Sequence, residues 1–342
     1  MKKYPLLTIL LIILFNKAGV EAQTEHLIEG RTMGTTYHIT VVTGVPERLI
    51  GLKEKIDRRL EAINQVFSTY IKDSEISRFN AFKVAGEKFR VSDDFIQVMK
   101  VGRKIHQLSG GAWDGTVNPL VDLWGFGPTQ RPPRRPPQAE IKGLLQNIGF
   151  ERIQIRQPNF LVKDPATLTL DLNSIAKGFA VDQVSALVAA GGFDHYLVEI
   201  GGEVYAAGVR PDGKRWRVGI NRPQKDAAFD EVYKALSIKD QAFATSGDYR
   251  NFFEIDAVRY SHVIDPRSGY PVSNGVVSVS IIAGNCTLAD GLATAIMVMG
   301  AEKGLQLVNR LDDIEGLIVV ETSDGRLDDY YSQGLKPEAQ PQ

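Results

Sequence analysis

The sequence predicts an α+β fold, with mixed or antiparallel sheets against packed helices. Short β-type runs crowd the chain from residue 152 onward. Helical segments interrupt them at uneven intervals, which argues against a regular βαβ winding. No fixed period recurs, so a repeat architecture is not indicated.

In chain order, residues 1–22 read as an export signal. Lys2 and Lys3 precede the apolar run 6–15, and Val20-Glu21-Ala22 offers a cleavage site. The run is short for a membrane span. An uncleaved anchor is the alternative, and no cysteine stands near the end of this segment to carry a lipid. Residues 23–332 are then expected as one domain, with a loose polar tail over 333–342. Residues 36–43 (TYHITVVT) read as a strand. Over 48–67, Leu49, Leu52, Ile56, Leu60, Ile63 and Phe67 recur at helical spacing. Ser92-Asp93-Asp94 opens a second helix, and Gly110-Gly111 ends it. Residues 128–138 (PTQRPPRRPPQ) read as an exposed, extended connector.

Strands are then expected over 152–155, 159–162, 167–172, 195–199, 203–207, 215–220 and 235–244. One helix, 175–190, interrupts them and stops at Gly191-Gly192. A helix over 287–299, a further helix over 302–311 and a strand over 317–321 complete the pattern. The 342 residues carry a formal net charge of -1, and the signal holds three lysines and one glutamate. The rest of the chain is therefore near -3, which gives no electrostatic footprint for nucleic acid. A 43% apolar composition supports a large core. Cys286 is the sole cysteine, so no internal disulfide forms, and it reads as a small packing residue.

Four segments could carry chemistry. In NCTLADGLATAIMVMG, residues 285–300, Asp290 and Thr294 lie four apart, so a helix stacks a carboxylate and a hydroxyl on one face. Such hard oxygens suit a cation like Mg2+. The same residues also fit a capping box, Thr287-x-x-Asp290. In TLTLDLNSIAKGFAVDQV, residues 167–184, Lys177 follows a helix start whose free N–H groups attract phosphate, although the P-loop spacing is absent. Asp171 and Asp182 flank it, one a candidate ligand-binding acid and the other a solvated one. Gly201-Gly202 is either a hairpin turn or a close approach of backbone to a flat ligand. His262, beside the Asp265-Pro266-Arg267-Ser268-Gly269 turn, offers a general base. Ser246-Gly247 adds small residues where backbone can meet a ligand. Met33-Gly34 is either core plus turn or a soft lid on an aromatic ring.

Together these segments resemble the FAD:protein FMN transferase family, also called the ApbE family. The resemblance rests on GRTMGTTY (30–37), FSTY (67–70), SGGAWDGTVNPL (109–120), LWGFGP (123–128) and DLNSIAKGFAVDQV (171–184). It continues through VEIGGEVYAAG (198–208), ATSGDYRNFF (244–253), HVIDPRSGYPV (262–272) and TLADGLATA (287–295). It spans roughly residues 27–322 and implies an ApbE-like, T-fold-like architecture. It implies Mg2+- or Mn2+-dependent cleavage of the FAD pyrophosphate, release of AMP, and attachment of FMN to a Thr or Ser of a target protein. The implied targets are exported proteins such as subunits of membrane electron-transfer complexes, and the implied location is the periplasm or the periplasmic face of the inner membrane. Carried over residue by residue, the metal ligands are Ala176 through its carbonyl, Asp290 and Thr294. Flavin or phosphate contacts fall on Met33, Tyr70, Ala112, Trp113, Asp114 and Asp171. Others fall on Lys177, Asp182, Gly201, Ser246 and His262. His262 is the expected base, oriented by Asp265, with Lys177 serving catalysis. Many relatives carry Gly-Gly where Asn173-Ser174 stands, and Phe where Trp113 stands. An FAD pyrophosphatase or a non-catalytic flavin binder on the same scaffold are the alternatives.

Overall fold

The computed structural model describes residues 23–127, 129, 131–228, 231–248, 251–256 and 258–335. The export signal and most of the expected tail lie outside the described residues. Among the described residues, no helix is long and apolar enough to cross a membrane.

An eight-stranded sheet forms the centre. Its spatial order follows the chain: Thr24–Thr32, Thr35–Thr43, Tyr196–Ile200, Glu203–Ala207, Gln241–Gly247, Val276–Ala283, Glu315–Glu321 and Leu327–Tyr331. Every described pairing in it is antiparallel. Each strand therefore pairs with its chain neighbour, and helices are inserted between strands. One face is covered by the helices Asn173–Ala190 and Cys286–Met299, which pack on each other and on the central strands. These are called below the lysine helix and the aspartate helix. The other face is covered by the hairpin Trp216–Asn221 and Val232–Ile238, whose Trp216, Ile220 and Ile238 join Phe243 and Ile282 in a second core. A third cluster, Leu120, Leu123, Trp124, Ile141, Ile148 and Ile264, stands apart from both.

Several expectations need correction. Residues 167–172 are not a strand. Their backbone groups are met by side chains and loops instead. Asn80 bonds both the N–H and the carbonyl of Leu170, Asp171 N–H donates to the Gly115 carbonyl, and buried Lys163 donates to the Leu168 carbonyl. A β-type apolar run thus crosses the core without a ladder. Residues 235–244 are two strands, Val232–Ile238 and Gln241–Gly247, because Asp240 turns the chain at φ +53. The helix expected over 48–67 begins as Leu52–Phe67, after Gly51 at φ +75 breaks it from a short 3-10 turn. The helix expected over 302–311 is Ala301–Val308.

The capping box is also replaced. Asn285 is the cap of the aspartate helix, and its side chain accepts from Leu288 N–H at 2.9 Å. Thr287 and Asp290 lie within the helix and bond outward. Asn285→Ala is expected to cost about 1 kcal/mol in thermal or chemical unfolding, the usual worth of such a cap. No change in the unfolding midpoint would show that the helix start is held by other groups alone.

Candidate functional site

The lysine and aspartate helices meet at Gly178. A Cβ there would lie 2.4 Å from the Cys286 carbonyl oxygen and 2.8 Å from Asp290 Cβ, so glycine permits this approach. Gly178 N–H donates to Asp290 Oδ2 at 2.9 Å. One turn on, Asp182 accepts from Cys286 N–H at 2.7 Å, from Thr287 N–H at 2.8 Å and from the Thr287 hydroxyl. Asp182 therefore clamps the aspartate helix from its neighbour, at the positively polarised end where a carboxylate is most stabilising. It is not among the residues that line the cavity described next.

Beside this junction lies a cavity of about 640 Å³, within the size range of ligand sites. Asp171, Asn173, Ser174 and Lys177 line it from the start of the lysine helix. Asp290, Thr294 and Met297 line it from the aspartate helix, and Glu203, Thr245 and Ser246 from the sheet. Ala112, Trp113 and Asp114 line it from one loop, His262 and Pro266 from another, and exposed Tyr70 also borders it. The structure thus gathers most of the residues expected from sequence.

Met33, Gly201, Ala176 and Asp265 also lie outside the lining. Met33 and Gly34 form a tight turn between the first two strands with φ +50 and +76, and Met33 packs against the main core. Gly201 and Gly202, at φ +62 and +102, are the two-residue turn between Tyr196–Ile200 and Glu203–Ala207. The pair therefore forms the hairpin turn, and Gly201 lies beside Lys177, whose Cδ would be 3.4 Å from a Cβ placed there. Ala176 is fully buried inside the lysine helix, one residue before Lys177.

Charge is concentrated at the cavity floor. The Lys177 ammonium lies 2.5 Å from Glu203 Oε1. Burial would lower Lys177, but neighbouring Asp290 and Glu203 hold it above the ordinary lysine range. Burial pushes Glu203 up to about 8 despite that ammonium. Burial raises Asp290 too, opposed by Lys177 and the Gly178 N–H. Glu203 was not legible as a site residue. The available signal was an acid directly after a Gly-Gly turn, opening an otherwise apolar strand.

Asp171 is raised by burial and steadied by the Asn173 N–H at 2.9 Å. Asn173 turns its amide onto the same carboxylate at 3.3 Å, and Trp113 Nε1–H donates to Ser174 Oγ at 3.0 Å. The Asn173-Ser174 pair therefore adds hydrogen bonds to its walls. Asp114 accepts from the Thr116 N–H and hydroxyl and from Phe150 N–H, so both oxygens brace the loop. His106 and Glu151 lie near it. His106 Nδ1 is committed to the Trp113 carbonyl at 2.9 Å, and with Asp114 occupied this trio reads as loop bracing.

His262 follows the strand Val258–Ser261. Its Nδ1 lies 3.0 Å from the Asn251 carbonyl. A carbonyl only accepts, so Nδ1 carries the proton and the neutral ring keeps its lone pair on Nε2. Burial lowers the His262 pKa below its usual 6.5, opposed by that carbonyl and by Asp248. Asp265 does not orient it. Both Asp265 oxygens are taken within its own turn, by Arg267 N–H at 2.9 Å and the Arg267 guanidinium at 2.8 Å.

The chain is similar to known proteins along most of its length. The ApbE family profile matches residues 33–318. An FAD:protein FMN transferase of Vibrio cholerae is 44% identical over 323 residues, covering 94% of this chain and 95% of that protein. One from Escherichia coli is 37% identical over 306 residues, covering 88% and 85%. Among solved structures, the flavin transferase ApbE from Vibrio cholerae superposes with a TM-score of 0.82 at 42% identity, covering 91% of this chain and 98% of that one. The apo flavinyl transferase ApbE of Pseudomonas stutzeri gives 0.81 at 37% identity, covering 91% and 95%.

Proposed function

From the premise that this chain belongs to the ApbE family, we propose that it is an FAD:protein FMN transferase acting on exported proteins. It cleaves the FAD pyrophosphate, releases AMP and attaches FMN to a Ser or Thr hydroxyl of its target. The observation that carries this reading is one cavity lined by Lys177, Asp290 and Thr294 from its two helices and by His262 from a loop.

The donor set suits a hard divalent cation. Asp290 offers a buried carboxylate, and the Thr294 hydroxyl lies 3.1 Å from that of Ser246. Asp290, Thr294 and the Ala176 carbonyl would hold Mg2+, or Mn2+ in its place, as few protein oxygens with the shell completed by substrate and water. The cation would neutralise charge on the pyrophosphate oxygens as the bridge breaks. Lys177 and the first N–H groups of its helix draw the phosphates to the floor. His262 Nε2 takes the acceptor hydroxyl proton as that oxygen attacks the FMN phosphorus. The bond from that phosphorus to the bridging oxygen breaks, and AMP leaves with the electron pair. The expected place of action is the periplasm or the periplasmic face of the inner membrane, with subunits of electron-transfer complexes as targets.

The test incubates protein, FAD, Mg2+ and an exported Ser/Thr-bearing target. The target mass should rise by one FMN unit. AMP without labelling would instead mean water is the acceptor. His262→Ala is expected to slow transfer by about 10²–10⁴-fold, with FAD affinity changed far less. The sign in pH follows from burial. Because the folded pKa lies below 6.5, the neutral base persists at pH 7 and is lost only as pH falls through that lowered value. The acid limb of kcat/KM should therefore lie below pH 6.5 and vanish in His262→Ala. A wild-type profile flat at acid pH removes His262 from this role.

A further inference from the structure

Lys177 sits between two buried carboxylates, Glu203 and Asp290. Asp182, behind Asp290, is balanced by the three donors of the aspartate helix. Glu203 and Asp290 thus share one ammonium, and burial raises both carboxyls, so each gains from a proton or a bound cation. Asp290 Oδ2 has the Gly178 N–H. Glu203 Oε1 has Lys177, but Oε2 has no hydrogen-bond partner among the described residues. Glu203 is 2% exposed, and its side chain borders the same cavity as Asp290, Thr294 and Ser246.

A buried carboxylate oxygen left unmet is costly, and an uncompensated buried charge more so. Without a ligand, a proton on Glu203 relieves the charge, and a cation at Oε2 would displace that proton. A divalent cation answers both, and the hard oxygens beside it suit one. We propose that Glu203 is an additional carboxylate of the divalent-cation site, its free Oε2 joining Asp290 and Thr294 in holding the ion. This rests on the flavin-transferase reading for the presence of the cation and extends it to a residue outside the carried-over ligand set.

The test is Mn2+ binding to the full chain without flavin, followed by electron paramagnetic resonance and by the rise in unfolding temperature that Mn2+ produces. Glu203→Gln keeps the shape and an oxygen for Lys177 but removes the charge. Its Mn2+ affinity should fall on the order of tenfold or more, and its Mn2+-induced thermal shift should shrink. Glu203→Asp, which restores the charge, should recover part of the affinity. Lys177→Met separates this role from mere placement of the lysine. Removing the ammonium should leave Mn2+ affinity unchanged or higher, whereas a fall matching that of Glu203→Gln would overturn the proposal. Glu203→Gln binding Mn2+ as tightly as wild type, while Asp290→Asn does not, would overturn it and leave the flavin-transferase reading standing. Wild-type protein that binds no Mn2+ even with FAD present would overturn the cation site itself and this inference with it. Melting of each variant without metal confirms that the folded state is being compared.

Discussion

Asp290→Ala is expected to abolish metal-dependent flavin transfer, with a loss on the order of 10³-fold or more. The carboxylate is the one formally charged group among the three carried-over ligands. It is 3% exposed, so water does not readily replace it. The alanine variant also removes the acceptor for Gly178 N–H and one of two counter-charges for Lys177. Some of its effect will therefore be loss of stability. Asp290→Asn divides the two. It keeps an oxygen for Gly178 and removes the charge, so it should unfold close to wild type yet transfer almost as poorly as alanine. Thr294→Ala, a neutral ligand with Ser246 still beside it, should weaken Mg2+ dependence less severely. Asp290→Ala with full turnover at low Mg2+ would remove the residue from the metal site.

Gly178→Ala should be among the most damaging single-methyl changes in the chain, costing about 3 kcal/mol in chemical denaturation. The new Cβ would meet the Cys286 carbonyl oxygen at 2.4 Å and carbon at 2.7 Å. Backbone cannot rotate away, and this segment is pinned by Asp182. The helices must separate, carrying Lys177 from Asp290, so transfer should fall along with stability. Gly291→Ala supplies the contrast. Its nearest neighbour is Ile105 Cδ1, also at 2.4 Å, the end of a side chain that can change rotamer. Equal losses in the two variants would refute the claim that backbone contact sets the cost.

The sequence was most readable where one local rule governs. The lysine helix ends at its Gly-Gly pair as expected, and the helix from Ser92 begins with the serine side chain accepting from Phe95 N–H. Strand Val276–Ala283 was missed although Ser278 and Ser280 alternate with apolar neighbours, because it is buried on both faces and a short, mostly apolar run reads equally as buried helix. Thr24–Thr32 escaped notice for the opposite reason: it is a half-exposed edge strand with several charged residues. In the site, Lys177, Asp290, Thr294 and His262 were reachable from motifs. The acids were harder to place. Asp265 stands three residues from His262 yet bonds Arg267, and Asp182 bonds a helix start more than a hundred residues away. Sequence separation gives no guide to such tertiary partners, and for the same reason nothing flagged Glu203 beside Lys177.

The third apolar cluster bears on how the site can move. Trp124 stacks on Tyr260 at 5.5 Å and donates to the Gly269 carbonyl at 2.9 Å, and Phe253 stacks between Phe126 and Tyr260. His262 is thus carried on an aromatic jaw with packing of its own, while Lys177 and Asp290 belong to a second jaw bolted through Gly178 and Asp182. Breathing of the cavity then has a defined coordinate, the gap between the jaws, and regions of small independent packing open first. Amide exchange should be faster over 117–126, 252–256 and 258–264 than over 173–190 and 286–299, and equal protection would mean that the two jaws are one.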